Sequence, residues 1–249
     1  MTYVQAPFVA DIPRAIVVPA FPWNLIGASD GSFPENRPKV NVYHTPEEAA
    51  DEIEVTPFYF ARDLRPRRAS THYYADSDGD LFQMVPERYG AIANGVTAGK
   101  LYPAGTDSTV SLNLQSRSIE IEAYAATVHL TMRRWRPQWW TVVEFAVYGW
   151  YEHAIPLTRE RNIGHYEVAS DRSDPGLLDL AAILEDAMQL VEQIEKLKGS
   201  VVRLTGENQY QQLAITKYKG DIERLTLENQ YQQAWLNAHQ RNAGLHGPG

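Results

Sequence analysis

The sequence predicts an α/β domain with a mixed central β-sheet flanked by helices, followed by a long C-terminal helix that forms a coiled coil. Three observations lead there. Short, largely apolar runs broken by Gly, Asp and Pro fill residues 1 to about 176, which also hold most of the aromatics. Within that region, "PQWWTVVEFAVYGWYEHA" carries apolar residues at helical spacing instead. From 177 to about 240 there is no proline, and apolar residues recur on a heptad pattern. Strands mixed with helices in this order give an α/β architecture. Residues 1–178 are assigned to the domain, 179–240 to a coiled-coil oligomerisation helix and 241–249 to a disordered tail.

The elements follow in order. "RAIVV" and "KVNVYH" read as short, largely buried strands. "TPFYFARDL" offers Thr56 as N-cap and Pro57 as first helical residue of a short helix. "STHYYADSDGDLFQMV" reads as two strands joined by a tight Asp-Gly turn. "SRSIEIEAYA" is a strand in which Glu120 and Glu122 share a parity and so point to one side. "PQWWTVVEFAVYGWYEHA" is the main core helix, with Val143, Ala146, Val147, Trp150 and Tyr151 at helical spacing. In the distal helix, "RLTGENQYQQ" from Arg203 returns as "RLTLENQYQQ" from Arg224, an offset of three heptads. With Ile194 at position a, the a positions include Val201, Asn208, Ile215, Ile222 and Asn229, and the d positions include Leu197, Leu204, Tyr218 and Leu225. β-branched residues at a with Leu at d favour a homo-oligomer of two parallel strands, a dimer. A solitary amphipathic helix folded back on the domain is the plainer alternative.

Composition narrows the function. The chain has 249 residues and a formal net charge of −8. That argues against nucleic acid and anionic membrane surfaces as partners, because both select a basic face. There is no cysteine, which removes disulfides, thiolate metal sites and thiol nucleophiles. A metal site must then use His with Asp or Glu. No apolar run is long enough to span a membrane, and the N-terminus lacks the basic and apolar regions of a secretory signal.

Of the seven histidines, His129, His153, His239 and His246 carry no metal-ligand pattern, and His153 reads as the end of the core helix. His44 ends the strand of "VNVYHTPEE". In "RNIGHYEVASDRSDPG", His165 ends another strand and Asp174 lies on the loop beyond it. Two imidazoles and one carboxylate on rigid strand ends leave an open coordination position, the pattern of a catalytic zinc site. The same trio also reads as ordinary polar residues.

Four segments, in order, resemble the zinc-dependent N-acetylmuramoyl-L-alanine amidases, the type 2 amidase family that includes the peptidoglycan-recognition proteins. "VYHTPE" resembles the first-ligand strand, and "ASTHYYADSDGDLFQMVPE" the "SAHY…DG…Q.VPE" hairpin. "RSIEIEA" resembles the "SIGIE" strand, and "GHYEVASDRSDPG" the second-ligand segment. The resemblance covers roughly residues 35 to 180. It implies Zn2+ on His44, His165 and Asp174, with Asp174 in a position where many relatives have Cys. It implies Glu122 as the proton-transfer group and Arg172, where lysine is usual, as oxyanion stabiliser. Thr71 stands where another branch of the family has a catalytic tyrosine. "SIGIE" has become "SIEIE", and "WHAG" has become "AIANG" at 91–95, with loss of a histidine.

The implied activity is cleavage of the amide between N-acetylmuramic acid and L-alanine in bacterial peptidoglycan. The short chain without a secretory signal resembles in particular the amidase domains of phage endolysins, which implies residence in the host cytoplasm before release to the cell wall. A non-catalytic peptidoglycan binder and a coiled-coil scaffold carrying an inactive amidase-like domain are the alternatives.

Overall fold

A computed structural model describes residues 8–27, 31–46, 57–62, 64, 68–96, 100, 102–134 and 136–244, with side chains through 233. Six strands form one mixed sheet: β1 (Ile16–Val17), β2 (Val40–His44), β3 (Tyr73–Ala75), β4 (Leu81–Gln83), β5 (Ser116–Ile121) and β6 (Asn162–Gly164). Their spatial order is β1-β4-β3-β5-β2-β6. Only the β3–β4 pair is antiparallel; the others run parallel. The helices are α1 (Pro57–Phe60), α2 (Val128–Thr131), α3 (Pro137–His153) and α4 (Leu180–Gly244).

Each element has a local cause. The β3–β4 hairpin closes through Asp76–Gly79–Asp80: the Gly79 N–H donates to the Asp76 carbonyl, and Gly79 has φ +93°, which costs a glycine no Cβ clash. Strand β2 is buried along its whole length, as expected of a strand with parallel neighbours on both sides and both faces covered. Pro57 opens α1 as expected, while Thr56 lies outside the described residues. Helix α3 buries Trp139, Val142, Val143, Phe145, Ala146 and Gly149; Trp150, expected on its apolar side, is 38% exposed. His153 ends α3 as expected, and its Nε2 pairs with Glu87.

Alternation of side chains along the strands gives the sheet two distinct faces. Tyr43 and Tyr73 present their rings edge-on to Phe145 of α3. Arg117, fully buried, lies on the same face. Its Nε donates to Glu87 Oε1 at 2.5 Å and its Nη1 to the Phe145 carbonyl at 2.9 Å. The guanidinium passes so close to Gly149 that a Cβ there would sit 2.5 Å from Nη1. Burial raises the pKa of Glu87, but Arg117, His153 and Tyr73 outweigh it and hold the carboxyl well below the usual range. Even-numbered residues of β2 and β5, among them His44, Ser116, Ser118 and Glu120, take the opposite face.

His72, on that opposite side, is buried as a neutral ring. Nε2 donates to the Tyr89 carbonyl at 3.0 Å and Nδ1 accepts the Ser118 N–H at 3.2 Å. Burial pushes its pKa down to about 4 from 6.5. Between those values the unfolded chain binds the extra proton, so stability present above pH 6.5 is lost as pH falls toward 4. At about 1.4 kcal/mol per pH unit, His72 should account for about 3 kcal/mol of that loss. Denaturant unfolding at several pH values, with His72→Asn as control, is the check: the variant should lack that part of the slope.

The chain divides into two units, Met1–Val191 and Glu192–Gly249. The first differs from the expected end at residue 178 because α4 begins inside the domain core. Leu180, Ile183, Leu184 and Ala187 are buried there, and Trp139 Nε1 donates to Asp186 at 2.8 Å. The a and d positions of the first heptads are therefore used within the domain. In the second unit the chain is helical from 192 to Gly244, past the expected start of the tail at 241; residues 245–249 lie outside the described residues. Its heptad residues Leu197, Val201, Leu204, Tyr218, Ile222 and Leu225 are each more than half exposed. No described helix is long and apolar enough to cross a membrane.

Candidate metal centre

The site forms at the carboxyl ends of the parallel strands, the edge where open α/β sheets bind ligands. Strand β2 ends in His44. Gly164 ends β6, and His165 follows at once, opening a short 3-10 turn. The loop beyond that turn returns so that the Tyr166 N–H donates to the Asp174 carbonyl at 3.0 Å. Gly176 then turns at φ +61°, with its Cα against the Ala125 carbonyl where a Cβ would collide. That is the structural use of the tightly pinned "DPG" end.

His44, His165 and Asp174 meet, all three buried. His44 Nδ1 lies 3.1 Å from Asp174 Oδ2, and His165 Nδ1 lies 3.3 Å from Asp174 Oδ1. The ring centroids are 4.4 Å apart. One ligand atom from each residue falls within 4.8 Å of the others. Two imidazole nitrogens converging on one buried carboxylate fit a divalent zinc-type ion, whose usual donors are His nitrogen and Asp oxygen.

Electrostatics agree with that use. Burial raises the Asp174 pKa, but hydrogen bonds with His165 and His44 prevail and hold the carboxyl well below the usual range. Burial lowers the His44 pKa, but the Asp174 hydrogen bond and the charges of Glu120 and Asp174 raise it above the ordinary value. For His165, burial and the neighbouring His44 outweigh Asp174, and the pKa is lowered.

A cavity of about 420 Å³ opens over the three residues. Arg172 and Arg68 lie on its wall, with Asn94 and Glu120. Glu120 is the Cα neighbour of His44 across β2–β5. Glu122, expected from the sequence as the proton-transfer group, is not brought to this cavity; the carboxylate on its wall is that of Glu120. Glu122 follows the last residue of β5 and is not on the cavity wall. Its carboxylate accepts the Ser77 N–H at 2.6 Å, its N–H donates to the Ala75 carbonyl and its carbonyl accepts from Gln138. Those bonds tie it to the β3–β4 hairpin and to the start of α3. Glu120 and Glu122 lie two residues apart and so share a parity, which alternation cannot separate. Thr71 is buried, bonded to Ser118 Oγ at 3.1 Å and absent from the cavity wall.

The sequence itself decides the kinship. The family profile described as N-acetylmuramoyl-L-alanine amidase matches residues 34–177, more than half of the chain. The chain belongs to the N-acetylmuramoyl-L-alanine amidase family. His44, Glu120, His165 and Asp174 all fall within the matched segment of this amidase family. No curated protein sequence matches. Among solved structures, the chain is similar to a selenomethionine AmpD derivative at 19% identity, covering 72% of this chain and 97% of that one, with TM-score 0.47. It is similar to the endolysin amidase LysCS from Clostridium intestinale at 15% identity, covering 71% and 97%, with TM-score 0.43. It is also similar to AmiD from E. coli, solved with anhydro-N-acetylmuramic acid-L-Ala-D-gamma-Glu-L-Lys, at 21% identity, covering 64% and 59%, with TM-score 0.44.

Proposed function

We propose that this family member is a zinc hydrolase that cuts the amide between N-acetylmuramic acid and L-alanine of peptidoglycan. The observation that carries the reading is the convergence of His44, His165 and Asp174 in one buried set beneath an open cavity. A complete ligand set favours a hydrolase over a wall-binding relic. Zinc at such a site polarises a carbonyl and activates water as a nucleophile near neutral pH. In this proposal Glu120 takes the proton of the attacking water and delivers it to the leaving amine of L-alanine. Arg172, exposed at the cavity wall, supplies fixed positive charge to the developing oxyanion. A guanidinium stays charged, so it can do that but cannot shuttle a proton. The test is release of label from dye-labelled peptidoglycan. Chelation should abolish release and stoichiometric zinc should restore it; full release by metal-free protein overturns the zinc reading.

We also propose that the helix from residue 192 pairs with a second copy in a parallel coiled coil. The heptad residues it would cover are the exposed apolar ones of the second unit. Asn208 and Asn229 at a positions pair best with themselves in register, which selects the parallel alignment. Light scattering at micromolar concentration should give twice the mass of one chain. A chain ending at Val191 keeps Ile183 and Ala187 in the domain and should be monomeric. It should still hydrolyse soluble muropeptide but clear whole walls less well, because paired domains gain effective concentration at the wall. A full-length monomer overturns the pairing.

A further inference from the structure

The same metal reading underlies an assignment for Asn94, which stands in the "AIANG" loop and is 2% exposed. Ser116 Oγ donates its one proton to the Leu112 carbonyl at 2.8 Å. It can therefore only accept from Asn94, whose Nδ2 lies 2.7 Å away. That contact sets which way the Asn94 amide faces. Its Oδ1, which carries no proton, then meets His44 Nε2 at 2.6 Å, and the imidazole must be the donor. With one ring proton held on Nε2, Nδ1, which faces Asp174 at 3.1 Å, is the nitrogen whose proton a metal would displace. The loop itself is fixed by Asn113, whose Oδ1 accepts the Asn94 N–H at 2.6 Å and the Ala93 N–H at 3.2 Å.

We propose that Asn94 is a positioning residue for the metal: the Leu112–Ser116–Asn94 chain fixes the orientation and proton of His44 so that Nδ1 is presented as a ligand. A metal-bound histidine usually donates its second ring N–H to a fixed acceptor, and loss of that acceptor typically costs about 10–100-fold in metal affinity. Asn94 is that acceptor for His44, reached from a loop rather than from a neighbouring strand.

Zinc affinity is measured on the full chain by competition with a chromophoric chelator, beside unfolding of the metal-free protein. Asn94→Ala should bind zinc about 10–100-fold more weakly. Asn94→Asp, which restores an acceptor, should return affinity to wild type or above. Ser116→Ala, which frees the amide to turn, should lose part of the affinity and covers the case in which Asn94→Ala does not fold. Ring ¹⁵N shifts of His44 in zinc-loaded wild type should show the proton on Nε2. Unchanged zinc affinity in both Asn94→Ala and Ser116→Ala overturns the assignment, as does an Asn94→Asp protein as weak as Asn94→Ala. A wild type that takes up no zinc would defeat the metal reading instead.

Discussion

A His165→Ala protein is expected to bind no stoichiometric zinc and to show no hydrolysis, while its domain stays folded. The site has three side-chain donors, and two would remain to share one ion. Removing a group that merely orients a ligand costs about 10–100-fold in affinity; removing the ligand itself must cost more. His165 is buried, yet it belongs to the cavity wall rather than to the packed layer beneath α3. Its loss takes one imidazole partner from Asp174, but His44 Nδ1 stays 3.1 Å from the carboxylate, so the metal-free variant buries no wholly unpaired charge. Metal analysis after gel filtration and far-UV circular dichroism are the checks. A folded variant that retains one zinc per chain at wild-type affinity would show that His165 is not a ligand.

Glu120→Gln is expected to keep zinc and fold but to lose about 10²–10⁴ in kcat, the usual size of general acid–base catalysis. Glu122→Gln should be close to wild type. The contrast rests on where the two carboxylates go. Glu120 lies beside His44 on the neighbouring strand and on the cavity wall. Glu122 spends its carboxylate on the Ser77 N–H of the hairpin. Steady-state kinetics on a soluble muropeptide separate them. The reverse pattern, with Glu122→Gln crippled and Glu120→Gln active, would return proton transfer to Glu122.

The sheet was legible where local signals were unambiguous. Buried "VNVYH", the Asp78-Gly79 turn and the 17-residue run of α3 each stand where their spacing put them. His44, His165 and Asp174 were legible because each sits at a strand end or on a pinned loop, and they do meet. What escaped has particular physical causes. Glu120 and Glu122 share a face, so periodicity cannot choose between them. Asn94 lies in a loop without any period, and its role depends on a hydrogen-bond chain through Ser116 and Leu112 that only folding assembles. Arg117 reads as a polar residue in an alternating strand, yet it is buried beside Gly149 because Glu87 neutralises it there. The heptad pattern runs without a break through residue 191, so it could not reveal that Ile183 and Ala187 are used by the domain.

The proposed amidase is defined by the bond that it cuts. Purified peptidoglycan digested with zinc-loaded protein, then analysed by mass spectrometry with amino-terminal labelling, reads it directly. New free L-alanine amino termini are expected, with glycan strands that keep intact N-acetylmuramic acid and gain no reducing ends. New reducing ends, or cleavage inside the stem peptide without free L-alanine termini, would contradict the proposal.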